Sequence, residues 1–145
     1  MRALLQRVKQ ASVVINGQCV AKIESGLLVF LAIQKGDDKT KADKLLKKVL
    51  AYRIFNDEQG KMNLSLQDVQ GSLLVVSQFT LAADTEKGLR PSFSSAATPE
   101  AGQQLYDYWL AEAKKSHPHV ASGKFGADMQ VSLLNDGPVT FLLEN

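Results

Sequence analysis

Ser77-Gln78-Phe79-Thr80-Leu81 closes an apolar run with two hydroxyls, a side-chain amide and a series of backbone N–H groups. Such donors could meet a substrate carbonyl, although the same composition suits an ordinary hydrogen-bonded turn at a strand end. The second candidate is Gly137-Pro138, within Asn135-Asp136-Gly137-Pro138 between two apolar stretches. A proline in a tight turn between strands is where a cis peptide is tolerated, yet most such bonds are trans and an ordinary turn fits equally. Other chemical inventories are missing. His117 and His119 fall in Ser116-His117-Pro118-His119 and read as surface turn residues after a helix. No cysteine or paired acid stands near them at metal-ligand spacing, so neither a metal site nor the base of a triad is expected. There is no strand-linked GxGxxG and no GxxxxGK[ST], which argues against nucleotide-driven chemistry. The single cysteine, Cys19, lies in a strand-like run and reads as a small buried hydrophobe in a reducing compartment.

These residues need a frame. Ala11-Ser12-Val13-Val14-Ile15, the turn Asn16-Gly17 and Gln18-Cys19-Val20-Ala21-Lys22-Ile23 predict a hairpin. Leu27-Leu28-Val29-Phe30-Leu31-Ala32-Ile33 is apolar throughout and predicts a central strand covered on both faces, as does Ser72-Leu73-Leu74-Val75-Val76-Ser77 after Gly71. Between them, Thr40 is expected to cap an amphipathic helix with Ala42, Leu45, Leu46, Val49 and Leu50 on its apolar face and lysines opposite. Arg53-Ile54-Phe55 reads as a short strand running into a turn. Residues 82–97 form a long polar loop beside the Ser77–Thr80 cluster, with Lys87 and Arg90 as candidate phosphate contacts. Thr98-Pro99-Glu100 starts a helix reaching to about Lys115 that carries Leu105, Tyr108, Trp109 and Glu112 near one face, its aromatics serving core or dimer packing. Two closing strands, 129–134 and 139–143, are expected around a Gly-Pro turn.

At 145 residues, 45% hydrophobic and 22% charged, the chain has the composition of one ordinary globular domain. Its formal charge of +2 permits a polyanionic partner without demanding one. No apolar run approaches the roughly 20 residues that span a bilayer, and charge interrupts the start before a signal-peptide core forms. No membrane association and a cytoplasmic location are therefore expected.

Ser77-Gln78-Phe79-Thr80-Leu81 and Asn135-Asp136-Gly137-Pro138-Val139-Thr140 together resemble, in order and spacing, the two signature motifs of the D-aminoacyl-tRNA deacylases. The likeness extends through residues 1–8, 61–65, 90–93 and 125–131, and so spans essentially the whole chain. It implies an α/β (α+β) fold: a single compact domain with a barrel-like β-sheet and two main flanking helices, paired as a homodimer with sites at the subunit interface. It implies an editing hydrolase for the ester of D-aminoacyl-tRNA, and of glycine mischarged on tRNA(Ala), that rejects L-aminoacyl-tRNA and uses no cofactor. By the same resemblance Ser77, Gln78, Phe79 and Thr80 are the catalytic group. The N–H groups of Phe79 and Thr80 form the oxyanion hole, Gln78 orients the substrate, and Thr80 positions rather than attacks. Gly137 and Pro138, joined by a cis peptide, reach into the partner's site and turn carbonyl oxygens toward the substrate α-carbon, where an L side chain collides. Arg7 braces that segment, and Met129 belongs with the substrate-binding residues. The 2′-hydroxyl of the terminal adenosine helps activate water or the ester, which suits the missing protein base. Two alternatives remain: the same reaction through a covalent Thr80 intermediate, and a tRNA-binding module without turnover.

Overall fold

Asn16 and Gly17 take φ values of 49° and 78°, the left-handed pair that a tight hairpin turn requires. They reverse the chain between β1 (Arg2–Ile15) and β2 (Gln18–Ile23), as expected. The computed structural model describes residues 1–145. β3 (Gly26–Ala32) runs antiparallel to the first half of β1 and parallel to β6 (Ser72–Ser77), which in turn runs parallel to β7 (Val120–Ser122). β8 (Gln130–Glu144) lies antiparallel along the other edge of β1. A two-stranded ribbon of β4 (Phe55–Asn56) and β5 (Met62–Leu64) stands apart from this sheet.

The unbroken apolar runs of β3 and β6 follow from cover on both faces. Leu27, Val29, Leu31, Leu73 and Val75 pack toward the helices, while the alternate residues Leu28, Leu74 and Val76 join Val8, Val13 and Ile23 inside the curve of the sheet. The outer layer is α1 (Lys39–Ala51), the one-turn α2 (Leu66–Val69) and α3 (Pro99–Ser116). The result is a single compact α+β domain with a nearly closed, barrel-like sheet and helices against it. None of these helices is long and apolar enough to cross a membrane.

α1 buries the five apolar residues its spacing predicts, but its cap is Asp38, not Thr40. Asp38 Oδ1 accepts from the Lys41 N–H at 2.8 Å, and a carboxylate there also meets the positive end of the helix dipole. The loop before it is pinned by the Met1 α-ammonium, which donates to Asp37 Oδ1 and Gln34 Oε1, each at 2.9 Å. α3 begins as read, with Thr98 as cap and Pro99 in its first turn. Its buried aromatics are Tyr106 and Trp109, whereas Tyr108 is half-buried and donates to Asp43 on α1. Tyr106 donates to the Val75 carbonyl at 3.2 Å, and burial, with a smaller push from Asp107, raises its phenol pKa above the ordinary value.

Three further expectations are corrected. His117 is buried, not a surface turn residue, because its ring nitrogen reaches the Gly71 carbonyl at 2.7 Å and ties the end of α3 to the start of β6. Cys19 is exposed near the hairpin tip, since the register of β1 on β2 slips between Val13 and Val14 and puts it out of phase with buried Ala21 and Ile23. Residues 130–144 form one strand rather than two around a turn. The Gly-Pro segment is a wide bulge in β8, and the chain does not reverse there.

Candidate active site

β6 leaves the sheet where its pairing with β3 runs out: Gln78 N–H donates to the Leu31 carbonyl at 2.9 Å, and Phe79–Ala82 then winds into a 3-10 turn. Arg2 Nη1 holds the turn through the Leu81 carbonyl at 2.8 Å, and the Ser95 hydroxyl donates to the Ala82 carbonyl. Inside the turn, Gln78 Nε2 donates to Thr80 Oγ1 at 2.7 Å. The first residues of any helical turn leave their N–H groups without partners within it. Here the first turn N–H to be bonded is that of Leu81, to Gln78 O, and those of Phe79 and Thr80 donate to no carbonyl or side chain. Two adjacent amide donors are thus free at the end of β6.

Phe79 lines, and exposed Thr80 flanks, a mostly apolar cleft of about 470 Å³. Its walls are the ends of β3 and β6, the first turns of α3 at Thr98, Pro99 and Gly102, and the segment from Phe125 to Val131. The Phe125 ring is supported by Tyr106, with ring centroids 5.6 Å apart. Gly123 leaves room for Met129, since a Cβ there would fall 2.5 Å from the Met129 sulfur. At the rim, Phe79 packs against Phe93 from the 82–97 loop, with ring centroids 5.0 Å apart and planes tilted by 48°.

The second motif is built on β8. Gln6 pairs with Thr140 and Val8 with Asn135, so two steps along β1 oppose five along β8 and the surplus chain loops out. Asn135 clamps the base of this bulge: its Oδ1 accepts from the Val139 N–H at 2.7 Å and its Nδ2 donates to the Val139 carbonyl at 3.3 Å. Arg7, only 8% exposed, donates from Nε to the Asp136 carbonyl and from Nη1 to the Ile54 carbonyl, each at 2.8 Å. Gly137 and Pro138 are exposed at the crest, and the peptide between them is cis.

Within one chain these groups do not meet. Ser77, Gln78, Phe79 and Met129 line the cleft; Thr80 is exposed beside it; Gly137 and Pro138 of the bulge, and Arg7 that braces it from β1, are not among the cleft's lining. Sequence reasoning missed Phe125, Gly102 and Asn135. The first was legible only as part of the matching 125–131 stretch, and Asn135 only as a residue type that bonds nearby backbone.

A barrel-like α+β domain with two free amide donors beside an apolar cleft has the makings of a site for an acyl carbonyl, and comparison with known proteins makes the class specific. The sequence profile of the family described as D-Tyr-tRNA(Tyr) deacylase matches residues 4–144. The chain is 62% identical over 145 residues to a D-aminoacyl-tRNA deacylase of Stutzerimonas stutzeri (strain A1501), covering 100% of both, and 63% identical over 143 residues to one of Pseudoalteromonas translucida (strain TAC 125), covering 99% of both. Among solved structures, the c-Myc DNA Unwinding Element Binding Protein superposes with a TM-score of 0.96 at 39% identity, covering 100% of this chain and 99% of that one. The chain belongs to the D-Tyr-tRNA(Tyr) deacylase family, as the two motifs led us to expect.

Proposed function

We propose that this chain hydrolyses the ester between a D-amino acid, or glycine mischarged on tRNA(Ala), and the 3′ end of tRNA, while sparing L-aminoacyl-tRNA. The observation that carries this reading is the pair of unpartnered N–H groups of Phe79 and Thr80 at the cleft. Water adds to the ester carbonyl carbon, and the oxyanion that forms accepts from these two donors. The carbon–oxygen bond to the terminal ribose then breaks, the ribose oxygen takes a proton, and free amino acid and tRNA leave. Preorganised donors of this kind are each worth about 10²–10³ in rate. The apolar, aromatic-lined cleft suits the terminal adenine, and the neighbouring ribose 2′-hydroxyl supplies the proton relay for which no nearby side chain is placed.

Thr80 fits a positioning role. Its oxygen accepts from Gln78, and no histidine or carboxylate is hydrogen-bonded to it, so nothing on the chain activates it as a nucleophile. Thr80→Ala is expected to slow turnover only by about tenfold or less, because the backbone donors remain; acyl-enzyme trapped on wild-type Thr80 would instead establish the covalent route.

The chiral filter requires Gly137 and Pro138 to face a substrate, and their own chain's cleft does not include them. A second copy supplying its bulge to the cleft of the first resolves this and makes the working unit a homodimer. The free edge of β8, with Leu133, Leu134 and Leu142 exposed, offers apolar surface for such pairing.

Gly102→Ala gives a further check. The added methyl would stand 3.6 Å from Phe125, an ordinary contact, so the helix should gain about 0.5–1 kcal/mol from its better former while the cleft narrows. We expect an unchanged or raised Tm together with a raised KM for aminoacyl-tRNA.

The decisive assay is release of amino acid from D-Tyr-tRNA at nanomolar enzyme with chelator present, repeated on tRNA ending in 2′-deoxyadenosine. Turnover on the first and a large loss on the second supports the reading. Retained binding without cleavage on either would favour a tRNA-binding module.

A further inference from the structure

A cleft of about 470 Å³ holds a single acylated nucleoside, so the rest of a tRNA must leave it through an open side. One such side is built. A groove of about 500 Å³ shares Ile33, Ala97 and Thr98 with the cleft and continues between the loop before α1 and the first turns of α3. Its carboxylates are already engaged: Asp37 by the Met1 α-ammonium and Lys41, Asp38 by the Lys41 N–H. Its cations are not. Lys35 and Lys39 are exposed and enter no ion pair, and the Lys39 ammonium stands 4.9 Å over the Tyr108 ring. Lys35 and Lys39 thus stand free of ion pairs along a groove whose own carboxylates are held from within the chain, with Gln104 as an additional hydrogen-bonding group.

We propose that this groove seats the sugar-phosphate backbone of the nucleotides immediately preceding the terminal adenosine, with Lys35 and Lys39 as its phosphate contacts. The proposal rests on the deacylase reading of the cleft and adds the direction in which the RNA leaves it. Lys87 and Arg90 line neither cleft nor groove, which makes them the lesser contacts, contrary to their prominence in the sequence.

The two exits are separated by comparing full-length D-Tyr-tRNA with 3′-O-D-tyrosyl-adenosine, which has no preceding phosphates. The double variant K35A/K39A should raise KM for the tRNA by roughly tenfold and lower the salt dependence of log KM by about 1.4–1.8, as for two lost phosphate contacts. Its kcat/KM on tyrosyl-adenosine should stay at the wild-type value, and K35R/K39R should restore the tRNA KM. K87A/R90A should change the tRNA KM less than the groove pair does. Wild-type KM and salt slope in K35A/K39A, equal losses on both substrates, or a larger effect from the loop pair would each overturn the groove assignment while leaving the deacylase reading intact. Failure of the wild-type protein to cleave either substrate would remove that reading, and the groove assignment with it.

Discussion

Gly137→Ala is expected to lower kcat/KM on D-aminoacyl-tRNA by about 10²-fold or more, since a misplacement near 1 Å of a positioning element has effects of that order. Gly137 has φ 156°, where an L side chain is strained, and a Cβ there would fall 2.5 Å from Val139 Cγ2 and 2.7 Å from the Val139 nitrogen. The Val139 N–H is one half of the Asn135 clamp, so relief of the clash must pull the bulge off its anchor. The crest is exposed and lies on an edge strand, so the rest of the sheet has no reason to follow. Steady-state kinetics beside thermal unfolding should therefore show a large kinetic loss with a Tm change of only a few degrees. A variant with wild-type rates would separate the bulge from the reaction.

Gly26→Ala should have the largest effect on stability. Gly26 faces Ser72 in the parallel pair of β3 and β6, and a Cβ there would stand 1.9 Å from the Ser72 carbonyl oxygen. That neighbour is backbone at the start of the paired interior strands and cannot rotate away. Overpacking usually costs about 1–3 kcal/mol, and a backbone clash of this depth belongs at or above the top of that range. For a domain of this size that corresponds to a fall in Tm of about 10 °C. The same strand pair delivers Ser77 to the cleft, so activity should fall with the folded fraction. An alanine variant melting within about 2 °C of wild type would mean that the two strands approach less closely than described.

What was legible in the sequence is what local chemistry decides. Asn16-Gly17 can serve few purposes other than a tight reversal, Thr98-Pro99-Glu100 combines three signals for a helix start, and the apolar runs of β3 and β6 admit only doubly covered strands. What was not legible depends on pairing between distant segments. Asn135-Asp136-Gly137-Pro138 has the chemistry of a turn, and the same chemistry serves a bulge; the choice is made by β1, which lies more than a hundred residues earlier and pairs on both sides of the motif. Cys19 shares an alternation with Ala21 and Ile23, and only a register slip against β1 turns it outward. His117 has the composition of a surface turn and is buried because the Gly71 carbonyl offers it a partner. The site follows the same division. The Ser77–Thr80 turn could be found from its own residues, whereas Phe125 and Gly102 enter through the docking of α3 and the 125–131 segment against it. The separation of the two motifs within one chain was expected from the family resemblance, whereas the local chemistry of neither motif discloses it.

Chiral hydrolysis by free backbone donors facing a Gly-Pro bulge can be checked by following D-Tyr-tRNA and L-Tyr-tRNA side by side at the same nanomolar enzyme concentration. Rapid loss of the D-ester with the L-ester persisting at its uncatalysed rate is the predicted result; equal cleavage of both would contradict the filter assigned to Gly137 and Pro138.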